Sequence, residues 1–564
     1  MFRGIFRVIK RFFFPPPGSS RWVRILPYAF LGVLTVFVLS ASAYGWDYTN
    51  SPQFCGTTCH TMPPEYTAYL TSPHARISCV ECHIGRGFIA TQITRKAGDL
   101  KHIFYTISKT YEFPISADEM RPARESCEKC HFPEKFSNDS LKEIKTFASD
   151  KANTPSSIFL ILKTGGGSER LGLGKGIHWH VENKVLYYPK DKHAQDIPYI
   201  RVINDDGTVN EFVDMEAGFD PQSISEVDLQ EMDCITCHNR ITHLVNQPEN
   251  SIDIALSRGS INTAIPDIRR LAVDALRGDY PTRELGLAAI AGIENYYTTY
   301  EPEFFTTNQE SLQKAITTIQ EIYSQSVYPE QKSDWNSHFN NIGHRFSPGC
   351  FRCHDGKHLN NSQEAIRLEC NLCHSIPVVA GTQDFVTDIE ISRGPEPETH
   401  LNPNWIALHR DYFDASCSNC HDTANPGGTE NTSFCSNSAC HGSVWEFAGF
   451  DAPGLRELII GQLPEPIEPD QSTEGPLTFE GVIGSLFKSR CASCHGTGGM
   501  MGLDLTNYNS LIKGSNNGPV IVSGDPQASR LIQVQSGPQN HFGQFTTDEL
   551  SLIIDWIKAD MPEK

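Results

Sequence analysis

The sequence predicts a mainly α-helical chain with extensive irregular structure, a small β segment and one N-terminal transmembrane helix. Three observations carry that expectation. The uncharged run Ile25–Gly45 (ILPYAFLGVLTVFVLSASAYG) has the roughly 20 residues a helix needs to cross a hydrocarbon core. Apolar residues recur at helical spacing over 250–326 and again in the last 88 residues, whereas Lys184–Asp214 alternates apolar and polar residues as paired strands do. The 18 cysteines form nine close pairs, each followed directly by a His, and this pattern organises most of the remaining chain.

The N-terminus is read first. Residues 1–24 hold Arg3, Arg7, Lys10, Arg11, Arg21 and Arg24 and no acid. Positive flanks stay in the cytoplasm, so 1–24 is expected as a cytoplasmic tail and 25–45 as the anchor. Everything after Gly45 is then exported, to the periplasmic or extracytoplasmic face of a bacterial cytoplasmic membrane. Trp22, Tyr28, Tyr44 and Trp46 sit at or near the ends of the run, as interfacial aromatics do. A cleaved signal peptide, with Ala41-Ser42-Ala43 as the cleavage site, is the alternative. The apolar run exceeds a typical signal core, which favours retention.

The length of 564 residues corresponds to roughly four domains. Lys plus Arg total 47 against 67 Asp plus Glu, a formal net charge of −20. Non-specific nucleic-acid binding needs a basic surface and is excluded on that ground. The cysteines decide more. A disulfide framework has no need of a following His, and a His after every pair serves no tetrahedral zinc site. The pattern C-x-x-C-H is that of c-type haem attachment, in which two thioethers fix the porphyrin and the adjacent His ligates iron. Nine such motifs use every cysteine in the chain.

In chain order the first three motifs are Cys55 and Cys59 with His60, Cys79 and Cys82 with His83, and Cys127 and Cys130 with His131. The next three are Cys234 and Cys237 with His238, Cys350 and Cys353 with His354, and Cys370 and Cys373 with His374. The last three are Cys417 and Cys420 with His421, Cys435 and Cys440 with His441, and Cys491 and Cys494 with His495. The first has one extra residue between its cysteines and the eighth has two. The second Cys and the His keep their relation in both, so both are read as attachment sites. Of 21 His, nine lie in motifs and twelve remain. Nine irons need up to nine further ligands, so the supply is only slightly larger than the demand. Two axial His leave no open position and suit electron transfer rather than substrate binding.

The expected organisation is a tetrahaem domain over 46–245, a helical spacer over 246–334, a second tetrahaem segment over 335–462, a Pro- and Glu-rich linker over 463–476 and a monohaem domain over 477–564. Helices are expected at Ile265–Arg277, Arg283–Tyr297, Glu310–Tyr323, Phe479–Arg490 and Thr547–Lys558. A hairpin or small sheet is expected around Asp205-Asp206-Gly207. The whole is a multihaem cytochrome c arranged around stacked haems, with an all-α cytochrome c domain at the C-terminus.

The first 245 residues resemble the tetrahaem quinol dehydrogenases of the NapC/NirT/NrfH family. Met62 lies two after His60, Ser72-Pro73-His74 precedes the second motif, and His243 lies five after His238. In that family the Met is an axial ligand of the first haem. The His upstream of the second motif ligates the fourth haem, and the His after the fourth motif ligates the second. The resemblance therefore implies His74 with His238 on haem four and His243 with His83 on haem two. His178 or His180 is the candidate for haem three. The family also draws electrons from quinol beside haem one and keeps an acid and a Lys after the second motif. Gly85–Ile107 is predicted as a helix there, with Asp99 as proton acceptor and Lys96 as quinol-orienting donor; a solvated charged face is the alternative.

Residues 477–564 resemble a small monohaem cytochrome c domain, and His541 stands where the late distal ligand of such domains comes. Met500 and Met501 are the alternatives. Residues 335–442 resemble generic multihaem segments, with His338, His344, His358, His400 and His409 as the distal pool for haems five to eight.

These readings add up to a membrane-anchored nonahaem c-type cytochrome. It would oxidise quinol from the membrane pool and pass electrons to an extracytoplasmic redox protein or reductase. The acidic balance suits a basic partner. The alternative is a terminal multihaem reductase acting on nitrite, hydroxylamine or a sulfur oxyanion, although no C-x-x-C-K motif is present. A purely structural electron-storage module is a third reading.

Overall fold

The chain begins with α1 (Phe2–Phe13), followed after a Pro-rich turn by α2 (Arg21–Thr49). Ser20 caps α2 by accepting from the Val23 N–H, and the helix continues past both ends of the apolar run. Most of its side chains are exposed: Val33 and Phe37 are 70% and 67% exposed, and Pro27 is buried. A helix of this length with an apolar surface facing away from the protein is built to be covered by lipid. The computed structural model describes residues 2–564 apart from 60, 86, 99, 118–119, 132–138, 166–175, 205, 369, 376, 381–401, 410–420, 422, 443, 463–474, 497–499 and 537–544.

Short helices follow: α3 (Pro52–Thr57), α4 (Pro63–Thr71) and α5 (Cys79–His83). Proline opens both α3 and α4, where its fixed φ suits the first turn and its missing N–H costs nothing. The single helix expected over Gly85–Ile107 is two, α6 (Ile89–Gly98) and α7 (Lys101–Ser108). Gly98 ends the first. Two further short helices, α8 (Trp179–Glu182) and α9 (Cys234–Cys237), precede the spacer.

The strands are β1 (Ser140–Phe147), β2 (Pro155–Leu162), β3 (Lys184–Tyr188), β4 (Tyr199–Ile203), β5 (Val209–Asp214), β6 (Gln230–Glu231), β7 (His358–Leu359) and β8 (Val378–Val379). The alternation in 184–214 becomes β3, β4 and β5, with β4 and β5 paired across the turn at Gly207. They form the centre of an antiparallel sheet in the order β6-β3-β4-β5-β7. A second sheet, β1-β2-β8, has no counterpart in the sequence pattern. The two-residue strands β7 and β8 come from the segment after residue 335 and complete sheets begun before residue 245. The first haem-motif segment and the second are therefore hydrogen-bonded together.

Between them lies a helical unit of α10 (Pro248–Ser257), α11 (Ile268–Leu276), α12 (Arg283–Ala291), α13 (Ile293–Tyr300) and α14 (Pro302–Ser326). The helix expected over Arg283–Tyr297 is divided at Gly292. The unit has its own core, with Ile252, Ile268, Leu276, Ile290, Tyr297 and Ile319 fully buried. Gly286 lets α12 approach α14, because a Cβ there would lie 2.3 Å from the Tyr323 ring. The unit is fastened to the turn after β1. Asn153 donates to the carbonyls of Thr263 and Ile265 and accepts from the Arg269 N–H, while Arg269 forms a buried two-point pair with Asp253.

The C-terminal unit has helices at Gly484–His495, Tyr508–Lys513, Arg530–Gln535 and Thr547–Lys558. Phe487, Ile553, Trp556 and Ile557 are fully buried at its centre. A capping box between Thr546 and Glu549 opens the last helix, and the Trp556 indole donates to the Pro562 carbonyl at 2.9 Å. Overall the chain is mostly helical with some sheet.

Candidate functional site

The motif residues sit on short helices and turns, which present two thiols and an imidazole over a few residues. Cys55 lies on α3, and Cys59 follows in the turn before α4; both are half-buried. Cys79, Cys82 and His83 lie on α5, and Cys234 and Cys237 on α9. Asp233 caps α9 by accepting from the Ile235 and Thr236 N–H groups and also accepts from the Ala123 N–H, which ties motif four to the turn before motif three.

Motifs three and five are single tight turns. Cys127 opens Cys127–Lys129 and Cys130 closes it, its N–H donating to the Cys127 carbonyl at 3.1 Å. Cys350 and Cys353 stand in the same relation around Gly349–Arg352, at 3.3 Å. The cysteines are not equivalent in exposure. Cys130 is exposed, whereas Cys59, Cys127, Cys350 and Cys353 are half-buried. In motif six, Cys373 ends the helix Cys370–Cys373, and its carbonyl accepts from the Lys163 N–H at 2.8 Å, just past β2. The cysteines of motifs two to five form no disulfides.

Motif eight opens in a tight turn, Phe434–Ser436, capped by the buried Ser433. Cys435 lies in that turn. Cys440 and His441 end the helix Ser438–His441, and the Cys440 carbonyl accepts from the Trp445 indole at 2.8 Å. Cys491 is buried on the helix Gly484–His495.

An imidazole binds a metal at about 2 Å, so two imidazoles on opposite faces of one iron stand about 6 Å apart between ring centres. Five pairs with that spacing occur among the described residues. They are His74–His131 at 6.0 Å, His83–His243 at 6.2 Å, His180–His354 at 5.7 Å, His344–His374 at 6.3 Å and His409–His441 at 6.2 Å. In each, one partner belongs to a motif and the other does not. The Nε2 atoms of His180 and His354 face each other at 3.5 Å.

The outer ring nitrogens of five of these imidazoles are fixed as axial ligands require, whereas Nδ1 of His74 is buried without a hydrogen-bond partner. Nδ1 of His180 lies 2.8 Å from the Ile177 carbonyl, that of His243 2.9 Å from Glu65 O, that of His354 2.5 Å from Arg367 O, that of His374 2.6 Å from Ser375 O and that of His409 2.6 Å from Ile406 O. A carbonyl on Nδ1 fixes the tautomer with its proton there and leaves Nε2 as the ligand atom. Burial lowers the pKa of His180, His243 and His344, and takes His354 down to about 4, so these imidazoles are neutral donors. This donor set fits haem c.

His243 agrees with the pairing the resemblance implies, because it stands opposite His83. His74 does not. It faces His131 of motif three, because the Tyr69 hydroxyl, donating to Ala75 O and Ile77 O, folds the loop after α4 in that direction. The ring that stands 6.0 Å from His131 is thus His74. His180 meets motif five, and His178 is close enough to His238 to disfavour its charge, after burial. His358 leaves the distal pool altogether. It is buried with Nδ1 2.8 Å from Asp355 and Nε2 2.7 Å from Ile197 O, so both nitrogens are used. His338 lies with Nε2 3.5 Å from Glu65, in a cluster with Arg240 and His243, and faces no motif His among the described residues. Asp99, His60, His400, Cys417, Cys420 and His541 lie outside the described residues, as do the side chains of Cys370, Cys494 and Met500. Met62 is half-buried at the start of α4, Met501 is exposed, and His421 stacks on Phe434 at 4.5 Å.

The sequence reading missed Glu65. Its buried carboxylate accepts from Arg240 and lies 3.2 Å from the Nδ1 of His243, so it orients the ligand from behind. Only its proximity to Met62 marks it in the sequence. Lys96 is placed where the transmembrane helix ends. Its Nζ is 2.7 Å from Thr49 Oγ1 and 2.5 Å from Asn50 Oδ1, and 5.0 Å from the centre of the Trp46 ring. Arg95 reaches the other way, to Ile84 O and Glu125 at 2.8 Å each, and fastens α6 to the loop after motif two.

Comparison with known proteins agrees with these observations. Residues 19–142 match the N-terminal region of the NapC/NirT cytochrome c family, and residues 491–536 match the planctomycete cytochrome C family. The chain is 36% identical over 399 residues to the cytochrome c-type protein ImcH of Geobacter sulfurreducens, covering 70% of this chain and 76% of that protein. It is 35% identical over 102 residues to the cytochrome c-type protein NrfH of Wolinella succinogenes, 17% of this chain and 57% of that one. It is 28% identical over 116 residues to the cytochrome c nitrite reductase subunit NrfH of Nitratidesulfovibrio vulgaris, 20% of this chain and 70% of that one. No solved structure matches.

Proposed function

The chain belongs to the family of the cytochrome c-type protein ImcH and is a membrane-anchored multihaem cytochrome with a NapC/NirT N-terminal region, and on that premise we propose that it oxidises quinol at the membrane face and delivers the electrons to an extracytoplasmic redox partner. The observation that carries this reading is the series of opposed His pairs. Two imidazoles per iron leave no coordination position for nitrite or another oxyanion, which favours a conduit over a terminal reductase. Nine haems, one per motif, are the proposed complement, and covalently bound haem c supplies reversible one-electron transfer. Thioether attachment is proposed at both cysteines of every motif, including Cys59 and Cys440 of the widely spaced motifs, the exposed Cys130, and Cys373 beside β2.

The chain's own residues do the rest. Quinol oxidation releases two electrons and two protons. Lys96, held at the end of α2, is the proposed donor to a quinol oxygen at the level where the helix leaves the bilayer. Asp99, three residues on, is the proposed proton acceptor. His60 and Met62 are the proposed ligands nearest this face, and His178 with His238 the proposed set for haem four. His495 with His541 is the proposed ligand set for the exit haem in 477–564, and the acidic balance of the chain suits a basic partner.

The test uses the full chain in membranes. A menaquinol analogue is expected to reduce the haems, Lys96→Ala to slow reduction by about tenfold or more, and electron paramagnetic resonance to show low-spin iron throughout. A high-spin haem that binds nitrite or carbon monoxide, with no reduction by quinol, would overturn the reading in favour of a reductase.

A further inference from the structure

Four large apolar side chains of α6 and α7, with Leu100 at the start of α7, make up an exposed apolar stripe: Ile89, Ile93, Leu100, Phe104 and Ile107, with exposures of 48%, 51%, 61%, 66% and 78%. Ile89 and Ile93 are four residues apart on α6, and Leu100, Phe104 and Ile107 are four and three apart at α7, the spacing of one face on each helix. Phe88, just before α6, adds a sixth side chain at 76%. A soluble surface seldom carries so much contiguous apolar area without a partner.

The position of the stripe identifies the partner. Lys96 of α6 is bonded to Thr49 and Asn50 at the end of α2, beside Trp46. Tyr44 and Tyr48, stacked at 6.2 Å, belong to the same turn of α2 and are exposed. Trp and Tyr at the end of an apolar span mark the interface of a bilayer. The stripe is therefore held at the depth of the headgroups, adjoining a surface that lipid already covers. Arg95 anchors the other side of α6 to Ile84 O and Glu125, so the element cannot turn its apolar face into the protein. Between Gly87 and Tyr111 the charged side chains are Arg95, Lys96, Lys101 and Lys109 against the single acid Asp99. Lysines bordering an apolar stripe suit phospholipid headgroups, with their stems on the acyl boundary.

We propose that α6 and α7 form a second membrane contact, an interfacial element whose apolar stripe lies in the exported-side leaflet next to the transmembrane helix. The occupant is the phospholipid bilayer. This contact would fix the orientation of the exported head over the membrane, which a single helix leaves free to rotate. It rests on the membrane anchor and not on the quinol reading.

The test is lipid labelling of the full-length holoprotein in nanodiscs of phosphatidylethanolamine and phosphatidylglycerol containing a phospholipid with a diazirine in its acyl chain. Peptide mass spectrometry is expected to find adducts in 88–107 as well as in 25–45. The double variant Phe104→Glu, Ile107→Glu should lose the adducts in 88–107 by about fivefold or more, with those in 25–45, the haem content and the visible spectrum unchanged. Adducts confined to 25–45 in the wild-type chain would overturn the proposal. So would capture of Lys101 or Lys109 by a second polypeptide with a bifunctional amine cross-linker on the same discs, which would assign the stripe to a second copy or another protein. Reduction by a quinol analogue, measured on the same discs, separates the two ideas: labelling without reduction removes the quinol site alone, and reduction without labelling removes this contact alone.

Discussion

Residues 248–326 and residues 46–131 are of similar length and are held together in different ways. The first bury a continuous set of Ile, Leu, Ala and Tyr side chains between five helices. Among the described residues of the second, the buried hydrophobic side chains are Ala68, Tyr69, Ile84 and Ala123. The first region carries no cysteine, and the second carries three motifs. A stretch with so little apolar burial cannot offset the conformational entropy of ordering its backbone. The contrast leads to the expectation that porphyrin attached at the three motifs does in one region what isoleucine and leucine do in the other.

The sharpest way to break that comparison is to remove an attachment site. Replacing Cys79 and Cys82 by Ser is expected to remove one haem by mass and to make 46–131 cleavable by protease at low doses. Hydrogen exchange in α10–α14 should not change. If 46–131 stays protected, its order does not depend on haem and the contrast fails.

The reverse experiment acts on the helical unit. Arg269→Ala leaves the Asp253 carboxylate buried without its partner and should cost the unit about 3–5 kcal/mol. Chemical denaturation followed by hydrogen exchange would measure this, with haem count and absorption spectrum unaltered.

His358 gives a smaller, pH-dependent effect where the sheet passes between the two haem-motif segments. Burial is the largest single influence and works against its charge, but Asp355, the Ile197 carbonyl on the other nitrogen and Asp214 together outweigh it. Its pKa is raised, so its stabilisation is fully present below the ordinary histidine value of about 6.5 and is lost as pH rises through the raised value. Protection of the β5–β7 pairing should therefore weaken on going alkaline, by about 1–3 kcal/mol. His358→Ala should abolish the pH dependence without changing any haem spin state. A spin change would return this residue to the ligand pool.

The smallest expected effect tests whether the chain tunes what the haem supplies. Glu65 places negative charge behind His243 and so favours the oxidised iron. Glu65→Gln should raise one midpoint potential by about 60 mV, the equivalent of about 1.4 kcal/mol for a one-electron couple. Redox titration followed by electron paramagnetic resonance would resolve it.

The legible features are those set by neighbours in the chain. The motif cysteines and their His are a local pattern, because thioether spacing and proximal ligation both act within a few residues. The anchor and the last helix, Thr547–Lys558, are equally local, since each follows from hydrophobic length or period. The helix expected after motif two is divided, because a glycine at its middle outweighs the continuous apolar stripe. The strands β7 and β8 are not legible, since two residues cannot show an alternation and their pairing comes from sequence-distant partners.

The sequence by itself determined the motif pattern, the membrane helix and the family, since each depends on residues close together or on a pattern preserved along the chain. Which imidazole faces which was decided by tertiary structure. His180 and His354 are 174 positions apart and meet only because strands from both segments share a sheet. His74 turned to His131 through a tyrosine hydroxyl that no ligand pattern contains. An axial pair is a relation across space, and spacing along a chain constrains one half of it at a time.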